Sequence, residues 1–181
     1  MRVISGMARG RKLKEPEGRT IRPTTDKVKE SIFNIVQFDI EGRRCLDLFA
    51  GTGQLGIEAL SRGAAHVTFV DEAAESLKLV KNNLDTAGFT EKAEIIRADA
   101  IEYLERGRRY DLIFIDPPYK TSLLERALKA INQFDILKVN GIMICERNTE
   151  TELPELTPPY RMLREYNYGK IKITTLTRDA G

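Results

Sequence analysis

The segment Asp47-Leu48-Phe49-Ala50-Gly51-Thr52-Gly53-Gln54-Leu55-Gly56 constrains this chain more than any other. Gly51, Gly53 and Gly56 form a G-x-G-x-x-G series after the apolar run Cys45–Phe49 and before a helical pattern through Leu55, Ala59 and Leu60. Asp71 follows Gly51 by 20 residues, at the end of a second apolar run, His66–Val70. Such a turn belongs to a parallel α/β sheet. Its glycines let the backbone approach a ligand closely, and the later acid can bind a ribose hydroxyl.

The surrounding sequence repeats the alternation. Helical spacing over Ala73–Ala87 is followed by a strand at Ala93–Ala98 that ends at Asp99. Asp111–Ile115 is the most apolar strand, Ser122–Phe134 is a helix, and Gly141–Cys145 is a fifth strand. This pattern predicts a parallel sheet covered by helices on both faces. The C-terminus differs. Arg161–Tyr166 and Lys170–Leu176 flank Asn167-Tyr168-Gly169, a hairpin signal that predicts two antiparallel strands at a sheet edge. Upstream, Val28, Ile32, Ile35 and Val36 recur at helical spacing, and Thr25 or Asp26 can cap that helix.

With 181 residues and 41% hydrophobic content, the chain is long enough to bury a core without disulfide or metal support. Cys45 and Cys145 lie in apolar runs 100 positions apart, so buried free thiols in a reducing cytoplasm are expected. The single histidine, His66, argues against a His-rich metal site and against a Ser-His-Asp hydrolase. No apolar run approaches the roughly 18 residues of a membrane span, and Met1–Gly6 lacks the apolar core of a signal peptide. Charge is uneven. Residues 1–22 carry seven bases against two acids, a net of +5, whereas the whole chain carries only +2. The expected organisation is a basic hairpin extension over 1–22, with strands at Arg2–Ser5 and Arg11–Lys14, followed by a main domain over 23–181. A basic extension on a mildly acidic body suits a polyanionic partner or a merely solvated surface.

Asp47 sharpens the nature of the ligand. A carboxylate just before the glycine turn would repel a dinucleotide pyrophosphate, but it attracts the sulfonium and ammonium of S-adenosylmethionine. The alternative is that Asp47 only caps the turn. Asp99 is placed either to accept from an adenine amine or to cap a helix over Ile101–Leu104. A second motif, Asp116-Pro117-Pro118-Tyr119, directly follows the apolar strand. Its prolines leave no backbone donors at 117 and 118, so the turn offers the Asp116 carboxylate and the Pro117 carbonyl as acceptors. Those acceptors suit a substrate with an exocyclic NH₂, and Tyr119 offers a ring face on which a base can stack. A rigid strand-exit turn with an aromatic plug is the plainer reading.

Asp47–Gly53 together with Asp116–Tyr119 resembles the class I S-adenosylmethionine-dependent methyltransferases that modify exocyclic amines. Arg2-Val3-Ile4-Ser5-Gly6, Arg9-Gly10-Arg11-Lys12-Leu13 and Arg22-Pro23-Thr24-Thr25-Asp26-Lys27 through Asn34 resemble, more closely, the RsmD family of bacterial 16S ribosomal RNA guanine-N2 methyltransferases. The resemblance implies a Rossmann-like, seven-stranded, mostly parallel sheet with an antiparallel last strand. It implies cofactor contacts at Asp47, Gly51, Gly53, Asp71 and Asp99, and target-base contacts at Asp116, Pro117 and Tyr119. S-adenosylhomocysteine would be the product, with no metal required. RNA contacts are expected at Arg9, Arg11, Lys12 and Arg22, with small-subunit RNA in a 30S particle or assembly intermediate as partner and a cytoplasmic monomer as the enzyme. Two other functions stay open. A DNA adenine-N6 methyltransferase shares the Asp-Pro-Pro-Tyr turn but normally needs a recognition domain for which this chain has no room. A non-catalytic RNA-binding protein on the same scaffold would be expected to carry a damaged site.

Overall fold

The computed structural model describes residues 1–18, 25–119 and 122–181. The elements run α1 (Asp26–Ile35), β1 (Arg44–Leu48), α2 (Gln54–Ser61), β2 (His66–Asp71), α3 (Ala74–Ala87), β3 (Ala93–Arg97), α4 (Ala100–Leu104), β4 (Tyr110–Ile115), α5 (Leu123–Phe134), β5 (Leu137–Asn148), β6 (Tyr160–Tyr168) and β7 (Ile171–Arg178). One seven-stranded sheet has the order β3-β2-β1-β4-β5-β7-β6. The strands β1 to β5 pair in parallel, and β7 is antiparallel to both β5 and β6.

The strand sequences explain the two-sided packing. Along β4, Leu112 and Phe114 enter the core shared with α1, α2 and α3, whereas Ile113 and Ile115 enter the core shared with α4 and α5. A strand covered on both faces is apolar through its buried stretch, Leu112–Ile115 here, which is why the alternating pattern of a half-exposed strand is absent. The chain leaves β1 toward β2 and β3, then returns to place β4 on the other side of β1. This reversal opens a crevice at the carboxyl ends of β1 and β4, the place where open α/β sheets bind ligands.

Three local features refine the sequence expectations. Thr25, not Asp26, is the α1 cap, its hydroxyl accepting from the Val28 amide at 3.3 Å. Strand β5 begins at Leu137, ahead of the apolar run, and Asn140 takes a left-handed φ of 61° within it. The expected N-terminal hairpin is closed by a single antiparallel bridge, Arg2 with Lys12, and lies on the body of the protein.

That docking is built from buried polar groups. Val3, Ala8 and Leu13 join the core beside α1 and α2. The Glu58 carboxylate of α2, fully buried, accepts from the amides of Ile4 at 2.9 Å and Ser5 at 3.0 Å. Lys29 of α1, also fully buried, stands 3.6 Å from Glu58 and donates to the Arg2 carbonyl at 2.7 Å. Arg62 completes the group at 3.1 Å. Burial lowers the Lys29 pKa, and the neighbouring Glu58 and Asp26 oppose that shift. Gly6 has a φ of +84°, and a Cβ there would collide with the Ser61 carbonyl. Glu58→Ala therefore strips the charge partner from a buried ammonium and the acceptor from two partly buried amides. It is expected to cost about 3–5 kcal/mol of stability, measured by urea unfolding, with protease sensitivity appearing first in residues 1–18. A loss below about 1 kcal/mol would show that Glu58 does not hold this segment.

Candidate active site

A cavity of about 500 Å³ occupies the crevice between the carboxyl ends of β1 and β4. It contains Asp47, Gly51, Asp71 and Asp99 from the expected cofactor set, together with Asp116, Pro117 and Tyr119. The three glycines of the turn divide the work. Gly51, with a φ of 57°, has open space where a Cβ would stand, so only there does the turn present bare backbone to the cavity. Gly53 lies one layer back, where a Cβ would press on Val80 at 3.2 Å, and a Cβ at Gly56 would collide with the Phe69 ring. Those two glycines let α2 pack closely on the sheet and on α3.

The acids are held in defined positions. Asp71 accepts from the amides of Gly51 and Ala73, each at 2.9 Å, so it shapes the turn as well as facing the cavity. Asp99 accepts from the amides of Ile101 at 2.9 Å and Glu102 at 3.1 Å. It is thus the N-cap of α4 and also a lining residue. Asp47 accepts from the Gly56 amide at 3.0 Å and is 2% exposed. Burial pushes its carboxyl up to about 8, against the pull of the Gly56 amide and with a smaller push from Asp71.

Sequence reasoning did not single out Glu72, Phe49 or Glu146, which also line the cavity. Phe49 carries a φ of 62°, a strained value for a bulky side chain, directly before the glycine turn. Glu146 accepts from the Tyr119 hydroxyl at 2.7 Å. Its signal in the sequence is an acid at the carboxyl end of a parallel strand. Six lining acids (Asp47, Asp71, Glu72, Asp99, Asp116 and Glu146) face the cavity, with no Lys or Arg among the described lining residues. Such a wall disfavours a pyrophosphate and suits a ligand bearing cations and N–H donors. Among the described residues, no group of three or more His, Cys, Asp or Glu is arranged to hold a metal ion.

The basic segment lies against α2 and α3. Arg9, Arg11 and Lys12 are exposed, and Arg11 donates to the Thr86 carbonyl at 2.7 Å. Arg22 lies outside the described residues. The buried Asn83 amide donates to the carbonyls of Thr52 at 3.0 Å and Lys14 at 3.1 Å, and accepts from the Lys14 amide at 2.7 Å. One side chain thus joins the basic segment to the glycine turn.

The sheet order and the crevice define a class I methyltransferase fold. Its solved counterparts include Escherichia coli yhhF, which matches 100% of this chain and 99% of its own with a TM-score of 0.90 and 31% identity. A family model described as conserved hypothetical protein 95 matches residues 1–177. Bacillus subtilis (strain 168) YlbH is 46% identical over 93% of this chain and 94% of its own length. The ribosomal RNA small subunit methyltransferase D of Escherichia coli (strain K12) is 35% identical over 99% of this chain and 91% of its own. The chain belongs to this family, the RsmD family.

Asp47 makes stability depend on pH. An unfolded Asp loses its proton near 3.8, whereas the folded carboxyl keeps it up to about 8. The folded state therefore binds more protons between these values, and its stability falls as pH rises through that window. Relative to Asp47→Asn, the wild type is expected to lose on the order of a few kcal/mol between pH 4 and pH 8. Urea midpoints of both proteins across that range measure this, and parallel pH curves would refute it.

Proposed function

We propose that this protein transfers a methyl group from S-adenosylmethionine to the exocyclic N2 amine of a guanine in small-subunit ribosomal RNA. The observation that carries the reading is the crevice itself, where an acid-lined glycine turn faces the Asp-Pro-Pro-Tyr turn across one cavity. Relatives over nearly the whole chain are named ribosomal RNA small subunit methyltransferases. The open backbone at Gly51 and the buried Asp47 fit the sulfonium and ammonium of such a cofactor, and Asp71 and Asp99 fit its ribose and adenine. Gly53 contributes by setting the turn. The substrate is an assembling or complete 30S particle in the cytoplasm, the protein acts as a monomer, and no metal takes part.

When bound, S-adenosylmethionine supplies a methyl group already activated by its sulfonium, so the chain needs no strong base. Tyr119 stacks on the target base. Asp116 and the Pro117 carbonyl accept from the amine and aim its lone pair at the methyl carbon. The amine becomes cationic as its N–C bond forms while the S–C bond breaks, and the Asp116 carboxylate stabilises that charge more in the transition state than in the ground state. The surplus proton leaves to Asp116 or to water. Residues 1–22 hold RNA through Arg9, Arg11, Lys12 and Arg22.

Labelled methyl transfer to 30S particles, naked 16S RNA and DNA, followed by nucleoside analysis and mapping, tests the assignment. N2-methylguanosine from small-subunit RNA is expected, and N6-methyladenosine in DNA would overturn it. Asp116→Ala is expected to lose about 10²–10³ in single-turnover rate with cofactor affinity retained, and Asp116→Asn less, since an amide oxygen still accepts. A rate within a few-fold of wild type for Asp116→Ala would remove Asp116 from the mechanism. Charge reversal at Arg9 and Lys12 should flatten the salt dependence of RNA binding by roughly 0.7–0.9 in slope per lost phosphate contact, read from binding at several salt concentrations. An unchanged slope would remove the segment from the RNA interface.

A further inference from the structure

We propose that Glu146 reads the identity of the target base, accepting the ring N1–H of guanine while Asp116 accepts from the N2 amine. This rests on the guanine-N2 reading above. The parallel register pairs Ile115 of β4 with Cys145 of β5, so Asp116 and Glu146 follow at neighbouring strand positions and line the same cavity. The Tyr119 hydroxyl donates to Glu146 at 2.7 Å, which ties the stacking ring to the same wall. Glu146 is 5% exposed, a depth at which a carboxylate needs N–H or O–H donors around it. A carboxylate accepts at about four lone-pair sites, so a tyrosine hydroxyl and a base N–H are compatible on one group.

Two carboxylates, a proline carbonyl and two prolines without N–H make a wall of acceptors. Guanine meets such a wall with adjacent donors, the ring N1–H and the N2 amine. Adenine places the N1 lone pair beside its only amine, and that lone pair would face a carboxylate. The wall therefore selects guanine both by the bonds it makes and by the repulsion it sets against adenine. A purely mechanical alternative is that Glu146 only steadies the Tyr119 ring. In that case Tyr119→Phe would reproduce the loss of Glu146.

The test uses 30S particles carrying guanosine or 2,6-diaminopurine riboside at the mapped target position. The analogue keeps the N2 amine but replaces the N1–H with a lone pair. In single-turnover transfer, read as the N2-methylated product, wild type is expected to prefer guanosine by about 10–100-fold. Glu146→Gln should slow transfer to guanosine and shrink the preference, because its amide NH₂ can donate to the analogue N1. Tyr119→Phe should keep the wild-type preference. A wild-type ratio near one, an unchanged ratio in Glu146→Gln, or an equal collapse in Tyr119→Phe each overturns the proposal. Cofactor affinity by calorimetry checks that Glu146→Gln is folded, and if it is not, the wild-type ratio decides alone. Absence of N2-methylguanosine from the wild-type reaction is a separate result and removes the guanine reading itself.

Discussion

A single buried carboxylate, Glu58, binds the pieces that surround the crevice. It takes the amides of Ile4 and Ser5, stands against Lys29 of α1, and pairs with Arg62 at the end of its own helix. None of these charges is stable alone in a core. The Coulomb attraction and the hydrogen bonds together offset a desolvation cost of several kcal/mol per ion. This makes the arrangement all-or-none. Apolar residues of similar shape could equal its stability, but a carboxylate with two amide partners accepts only one path of the N-terminal backbone. The basic segment thereby acquires a fixed place relative to α2 and the glycine turn.

Much of this architecture was legible because the central parallel strands are mostly apolar runs and the turns between them carry Gly, Asp or Pro. The runs at Cys45–Phe49, His66–Val70 and Asp111–Ile115 correspond to β1, β2 and β4 within a residue at each end. The crevice was legible through its two motifs, since a glycine turn and a proline turn each restrict the backbone locally. Glu58 was not legible. Its partners Ile4 and Ser5 are 54 and 53 residues away, and an acid in a helix reads as surface until the fold brings those amides to it. The separate duties of Gly51, Gly53 and Gly56 were hidden for the same reason, because Phe69 and Val80 come from other elements. Glu146 escaped notice as the polar end of an apolar strand, and its meaning depends on β4 lying beside β5.

On the proposed function, the acid-lined cavity and the basic segment address opposite halves of one electrostatic problem. A wall of carboxylates suits cations and amines but repels a phosphate backbone, so a nucleic acid cannot be drawn in by the cavity itself. Cations outside it can hold the backbone while one base turns inward. Asp47 shows the tension within the cavity. Buried and beside Asp71, its carboxyl retains its proton to about 8, and a cationic ligand beside it would favour the charged form.

Asn83 gives the two halves a common hinge pin. Its amide spends both donors and an acceptor on Thr52 and Lys14. Turning that side chain breaks bonds to the glycine turn and to the basic segment together, so neither can loosen through it independently. A ligand that quiets one segment lowers the entropy left for the other to lose. On the proposed function, ligands at the turn and at the basic segment would be coupled through this shared order, by the same amount whichever arrives first.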